Sequence, residues 1–248
     1  MPDKAASYPF SAQPFQCDFS GRIFLTALCN ELLNCAEHHA SERGFGIANL
    51  AGSAYTWVIA RLAVEINSMP QRDSACTIET WIENVFSLFT NRNFAILNPN
   101  KQPIGYARST WVLINTSTHK TADLTSYDQL RAYELPDKPC PIDKPRHIKP
   151  GGTPLPTSSI QMKYSDTDIN QHVNSIKYIE HILNLFPISW HQTHRITRLD
   201  ITYTTQAHAG DTLIFAPAQT SPNTYNINVR NQENEERVCR AQIQTSPQ

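Results

Sequence analysis

Asp168, Asn170 and His172 stand two apart in the stretch "YSDTDINQHVNSIKYIEHI", Tyr164 to Ile182. A carboxylate, an amide and an imidazole in that rhythm are the parts of an acid–base site. The imidazole titrates near neutrality and can take or give a proton. The carboxylate can fix its tautomer or orient an amide, and the amide can hold a polar group or a water. In an extended segment the alternation points all three side chains to one side. The apolar run that follows reads as a helix begun by Val173 and Asn174. Its first N–H groups lack partners and carry the positive end of the helix dipole, so they suit a developing oxyanion. No Ser or Cys stands out as a nucleophile, so water is the expected attacking group. The competing reading is structural. Asp and Asn are ordinary helix caps, and a His at a helix start is commonly a half-exposed polar residue.

The elements around this stretch occur twice. "FLTALCNELLNCAEHH" (Phe24 to His39) and "IKYIEHILNLF" (Ile176 to Phe186) both carry apolar residues at spacings of three and four, the mark of an amphipathic helix. Alternating, strand-like segments follow each. Arg61-Leu62 matches Arg198-Leu199, and Asp73-Ser74 matches Asp211-Thr212 if one residue is skipped. Each half closes in a hairpin pattern, turning at Asn98 to Gln102 and near Asn231 to Asn234, with Arg108 and Arg240 at equivalent places. One helix on one antiparallel sheet, twice, is an α+β arrangement. The first half holds Asp18, Ser20 and Arg22 where the second holds Asp168, Asn170 and His172. The spacing is kept, while the amide and the imidazole are not. Stability alone does not call for that difference.

Between the halves, "PCPIDKPRHIKPGGTPLP" (Pro139 to Pro156) carries six prolines and a Gly-Gly pair. Such a segment resists helix and central strand and reads as a semi-rigid linker. The expected domains are therefore 1–138 and 157–248, joined by 139–156. The chain has 248 residues, 40% hydrophobic and 17% charged, with a formal net charge of −1. That composition suits a folded protein and supplies no overall field for nucleic acid or an anionic membrane. The most apolar run, Ile23 to Ala36, is interrupted by Asn30, Glu31 and Asn34 and is too short to span a bilayer. The first residues lack the basic start and apolar core of a secretion signal. Six cysteines without a CxxC pair suggest a reduced, cytoplasmic protein.

Other residues carry weaker signals. His38-His39 and His191-x-x-His194 lack partners at zinc-like spacing, so no metal is expected. Trp57, Trp81 and Trp111 lie in strand-like segments and read as core, with the lining of an apolar tunnel as the alternative. Lys144, Arg146, Lys149 and Lys163 form a basic cluster around the linker, either a solvated charge run or a docking face for an acidic partner.

"DINQHVNSIKYIEHIL" resembles the signature of the plant and bacterial acyl-acyl-carrier-protein thioesterases, Asp-x-Asn-Gln-His-Val-Asn-Asn-x-x-Tyr-Ile. Asp168, Asn170, Gln171, His172, Val173, Asn174, Tyr178 and Ile179 fit it, and Ser175 replaces the second Asn of the pair. "GFG" at Gly44 to Gly46, "TWVIARLAVEINSMPQRDSACTIETWI" and "ARSTWVLIN" also have counterparts in that family. The resemblance runs from about Phe15 to the C-terminus. It implies two tandem hotdog domains, each a long helix wrapped by a curved antiparallel sheet. The catalytic site falls in the C-terminal hotdog, and much of the acyl-chain pocket in the N-terminal one.

The implied reaction is hydrolysis of fatty acyl carrier protein, which releases free fatty acid and ends elongation. No cofactor is implied. The chain would act as a monomer, a pseudo-dimer of hotdogs, or as a homodimer. Asp168 would orient and polarise, Asn170 would hold the thioester or the water, and His172 would transfer the proton. The plant enzymes have Glu then Cys after the strand ending in Tyr, and aligned on Tyr203 those places hold Gln206 and Ala207. A Gln can position water but cannot take a proton. His172 or Asp168 is then the base, with His208 and Asp211 the alternatives nearby. An acyl-coenzyme A thioesterase and a non-catalytic acyl-binding hotdog protein are the rival readings.

Overall fold

The computed structural model describes residues 3–248. The chain divides into two compact units, the first running to Lys144 and the second from Pro145, with Arg61–Ala63 grouped with the second.

The first unit contains β1 (Ala5–Ser11), α1 (Leu25–Ser41), β2 (Tyr55–Ile66), β3 (Ala75–Val85), β4 (Thr90–Leu97), β5 (Pro103–Asn115) and a one-turn α2 (Asp128–Arg131). Its sheet order is β1-β3-β4-β5-β2. α1 buries Leu25, Leu28, Cys29, Leu32, Cys35, Ala36, His39 and Ala40, a stripe at helical spacing, and lies on β1 and β3. From the sheet, Ile78, Phe94 and Ile96 are fully buried. Each such side chain contributes about 1.5–3 kcal/mol. His39 is part of this packing. Its Nε2 lies 3.1 Å from the Lys4 carbonyl, and burial, with Arg92 and Arg43 nearby, pulls its basicity down to about 2. It is a neutral core residue.

The second unit contains β6 (Thr153–Pro154), β7 (Ser158–Gln161), α3 (Ser175–Leu183), α4 (Ile188–Thr193), β8 (His194–Tyr203), β9 (Thr212–Ser221), β10 (Thr224–Asn231) and β11 (Arg237–Pro247). The order is β7-β9-β10-β11-β8, with β6 also on β9. With β7 in the place of β1, this is the order of the first unit. The α+β duplication expected from the sequence is therefore present. Both hairpins close where expected. Asn98 N–H donates to the Gln102 carbonyl and Asn231 N–H to the Glu236 carbonyl, both at 2.9 Å.

Two details differ from the sequence reading. α3 stops at Leu183 rather than Phe186, so it has 9 residues against 17 in α1. Pro187 disfavours the helical region for the residue before it, and Phe186 instead stacks on Trp190 at 4.2 Å. The second detail is register. The backbone of Asp73 takes a left-handed φ of 63° and donates to the Ala12 carbonyl, while Gly210 takes 97° and donates to the Met162 carbonyl. Asp73 therefore corresponds to Gly210 and Ser74 to Asp211. The repeat runs from Arg61/Arg198 to this turn without the one-residue gap.

The proline-rich segment is held to the sheets rather than hanging free. In the first unit Arg108 pairs with Glu83 and donates to the Cys140 carbonyl at 2.8 Å, and Cys140 and Ile142 pack with Trp81 and Ala95. In the second, Arg240 donates to the Ile148 carbonyl at 3.4 Å, and Arg146 N–H donates to Asp200 at 3.0 Å. The matching arginines seen in the sequence thus share a task, holding carbonyls that proline segments cannot pair in a strand.

Candidate active site

The stretch from Asp168 to His172 is a tight turn, not the extended segment expected. Asp168 N–H donates to the His172 carbonyl at 2.8 Å, and Gln171 N–H donates back to the Asp168 carbonyl at 3.0 Å. Gln171 takes a φ of 65°, which closes the turn. The Asp168 carboxylate accepts from the Asn170 and His172 amides at 2.8 and 3.3 Å. An Asp folding back on the amide two residues on is an Asx turn. The three side chains therefore do not share one face of a strand. Asn170 is exposed at the tip, and Asp168 and His172 are half-buried at the base.

The first unit builds the same turn. Asp18 accepts from the Ser20 and Arg22 amides at 2.7 and 3.2 Å, and Asp18 N–H donates to the Arg22 carbonyl at 2.8 Å. Gly21 supplies the left-handed residue at a φ of 73°. The Asp closes the same turn in both copies, whereas Asn170 and His172 belong to one.

The helix entrance also differs from expectation. α3 begins at Ser175, and Asn174 is its N-cap, accepting from Ile176 N–H at 2.9 Å. Val173 N–H donates to the Ala207 carbonyl at 2.7 Å and Asn174 N–H to the Asp166 carbonyl at 2.8 Å. Both amides are thus committed to the fold, which removes Val173 and Asn174 as oxyanion donors. The chain pairs with the loop after β8 before it turns into the helix, so the Val173 amide meets the Ala207 carbonyl there, and the Asn174 amide meets the Asp166 carbonyl of the preceding segment.

That loop brings the remaining candidates near. Thr167 pairs with Val173 and His172 with His208 as antiparallel bridges. The His172 and His208 rings meet edge-on with centroids 4.9 Å apart. Asp211 accepts from His208 N–H at 2.9 Å. Gln206, half-buried, lies two residues before His208. Behind the turn, Tyr203 hydroxyl donates to the Ser175 carbonyl at 2.8 Å, and its ring lies 5.9 Å from that of Tyr178. Burial pushes the Tyr178 phenol far above its ordinary value, so it stays neutral. Cys239, opposite Tyr203 in the β8–β11 ladder, is fully buried, and desolvation raises its thiol strongly. It is unsuited to act as a nucleophile.

One carboxylate–imidazole pair lies outside the residues singled out from the sequence. Asp166 is buried and lies 3.0 Å from His181 Nε2 on α3, while its other oxygen accepts from Lys163 N–H at 2.7 Å. The visible signal was a second Asp two residues before Asp168 and a His three residues after Tyr178. Two other histidines serve the scaffold. His191 contacts the Leu183 carbonyl and His194 the Trp190 carbonyl. Among the described residues no group of three or more His, Cys, Asp or Glu is arranged to hold a metal, and no helix is long and apolar enough to cross a membrane.

The chain resembles known proteins over most of its length. An acyl-ACP thioesterase from Bacteroides thetaiotaomicron superposes with a TM-score of 0.90 at 45% identity, covering 98% of each chain. The 12:0-ACP thioesterase from Umbellularia californica has the same fold, with a TM-score of 0.86 at 18% identity over 100% of this chain and 99% of that one. The oleoyl-acyl carrier protein thioesterase 2 of Arabidopsis thaliana is 24% identical over 233 residues, 86% of this chain. This chain spans 63% of that chloroplastic protein's length, and 57% of the palmitoyl-acyl carrier protein thioesterase of Gossypium hirsutum, which is 23% identical over 90% of this chain. The model of the acyl-ACP thioesterase N-terminal domain matches residues 7–130 and that of the C-terminal domain residues 155–246. With its duplicated fold and its one-sided polar turn, the chain belongs to the acyl-ACP thioesterase family.

Proposed function

We propose that this protein hydrolyses the thioester linking a fatty acyl chain to acyl carrier protein, releasing free fatty acid and the carrier thiol. One observation carries the reading. The two units fold the same Asp-anchored turn, and only the second loads it with Asn170 and His172.

Asn170, exposed at the tip, donates its side-chain amide to the thioester carbonyl and steadies the oxyanion. His172 takes a proton from water as the water oxygen attacks the carbonyl carbon. The tetrahedral intermediate then expels the thiolate, which regains that proton from His172. The balance is thioester plus water giving carboxylic acid plus thiol, and no cofactor enters it. Asp168 fixes where Asn170 and His172 stand by holding both their amides. Gln206 positions water and does not act as the base. The N-terminal unit supplies the acyl-chain pocket. Lys149 and Lys163, both exposed, are the docking candidates for an acidic carrier.

The test is free-thiol release from acyl carrier protein and acyl-coenzyme A over a series of chain lengths. Faster turnover of the carrier substrates is expected. Preference for coenzyme A substrates would reassign the donor, and chain binding without turnover would make this a binding protein.

The duplication supplies an internal control for Asp168. Asp18→Ala and Asp168→Ala are each expected to cost about 1 kcal/mol of stability, the worth of a side-chain cap on backbone amides. Only Asp168→Ala should lower kcat/KM. Thermal melts and thiol release on both variants check this, and unchanged turnover in Asp168→Ala would reduce that residue to a turn former.

A further inference from the structure

Asp166 and His181 stand at the foot of the Asx turn and take no part in the mechanism above. Their side chains are 9% and 16% exposed, and His181 Nε2 lies 3.0 Å from one Asp166 carboxylate oxygen. The other oxygen accepts from Lys163 N–H at 2.7 Å, and the Asp166 carbonyl accepts from Asn174 N–H at 2.8 Å. Asp166 is thus the base of a small hairpin. Its rungs are Asp166 with Asn174, Thr167 with Val173 and Asp168 with His172, and its tip carries Asn170. His181 lies on α3, and its ring also packs on the buried Phe215 of β9, with centroids 5.8 Å apart. One hydrogen bond therefore ties the base of the hairpin to the body of the helix.

The first unit builds the same junction from other residues. Gln16 stands in the place of Asp166. Its side chain accepts from Gln13 N–H at 3.1 Å, and its carbonyl accepts from Phe24 N–H at 2.8 Å. Counted from the N-caps Phe24 and Asn174, Glu31 takes the place of His181. An ionised Glu has no N–H to give. The turn thus forms with neither the buried carboxylate nor the imidazole. Both occur in the copy that carries Asn170 and His172.

We propose that Asp166 and His181 are positioning residues for thioester hydrolysis: the hydrogen bond between them fixes the hairpin against α3, so that Asn170 and His172 are held where the thioester and the attacking water meet. This rests on the hydrolytic reading above. The bond needs one N–H on Nε2 and one carboxylate oxygen, and an imidazole in either charge state can supply that N–H. A shift of about 1 Å in a reacting group can cost on the order of 10²-fold in rate, so such a tie matters most in the copy that does chemistry.

The test is thiol release by His181→Leu, by His181→Gln and by a double variant, Asp166→Gln with His181→Glu, which installs the first unit's residues. His181→Leu removes the donor and is expected to lower kcat about 10- to 100-fold while KM changes less than about threefold, since the bond acts on geometry at the reacting groups. His181→Gln puts an amide N–H near the place of Nε2 and should return kcat to within about threefold of the wild type. The double variant keeps a junction that the first unit already folds, so its loss of kcat, expected to match that of His181→Leu, is separated from loss of the fold. A kcat unmoved in His181→Leu and in the double variant overturns the proposal. An equal loss in His181→Gln also overturns it, by assigning the effect to the ring rather than to the bond. Amide hydrogen exchange at Asp168, His172 and Asn174 reads the tie without turnover. Faster exchange there in His181→Leu, and not in His181→Gln, sustains the tie even if the wild type hydrolyses no thioester, and unchanged exchange overturns it.

Discussion

His172→Ala is expected to lower kcat/KM for hydrolysis of the acyl-acyl carrier protein thioester by about 10²- to 10⁴-fold, the range that a positioned proton-transfer group contributes. The fold is expected to be retained. The His172 backbone makes the bridge to His208 and donates to Asp168 through its amide, and neither contact needs the imidazole. The loss is in proton transfer, so kcat falls together with kcat/KM and KM moves little. Asn170→Ala should follow with a loss of about 10²-fold, the worth of one oxyanion donor. Steady-state thiol release with a matched melting curve separates the two effects. A fall of less than tenfold in His172→Ala, with the fold retained, would remove the imidazole from the chemistry and leave the turn as scaffold.

The second large effect is on stability. Asp200→Ala is expected to cost about 3–5 kcal/mol, because it removes the carboxylate facing a buried guanidinium. Arg198 and Asp200 lie two apart on β8, with side chains 2% and 1% exposed. Arg198 Nε donates to one carboxylate oxygen at 2.7 Å and Nη2 to the other at 3.0 Å, a bidentate pair. The same carboxylate receives Arg146 N–H from the proline-rich segment. Truncation would remove the bidentate carboxylate from Arg198 and free one tether of that segment. A fall in melting temperature on the order of 10 °C is the expected reading for a chain of this size. A joint replacement, Arg198→Met with Asp200→Leu, should recover most of it, since buried ion pairs are often matched by apolar pairs of similar volume. A melting temperature within about 2 °C of wild type for Asp200→Ala alone would show that the pair is not holding β8.

The duplication, both main helices, both hairpins and the one-sided loss of Asn and His are legible in the residues alone. These are local or periodic signals. Apolar spacing fixes the buried face of α1, turn residues fix where β4 meets β5 and β10 meets β11, and the repeat shows by comparing the chain with itself. The family resemblance rested on the same residues. Position in space was another matter. Alternation at Asp168, Asn170 and His172 looked like a strand, yet the Asp168 carboxylate captures two amides and closes a turn. The spacing alone does not distinguish those states, whereas the residue types favour the turn, since Asp and Asn are depleted in strands and bond their own backbone. The Val173 and Asn174 amides looked free at a helix start, and only the loop after β8 and the Asp166 carbonyl show that they are taken. The His172–His208 contact and the Arg198–Asp200 pair are likewise tertiary. The first depends on which residues two distant segments place opposite each other, and the second on a β8 face buried deeply enough to force its charges together. Residue types thus announced the chemistry, while hydrogen-bond competition among backbone groups, settled only in the folded chain, decided which atoms are left to perform it.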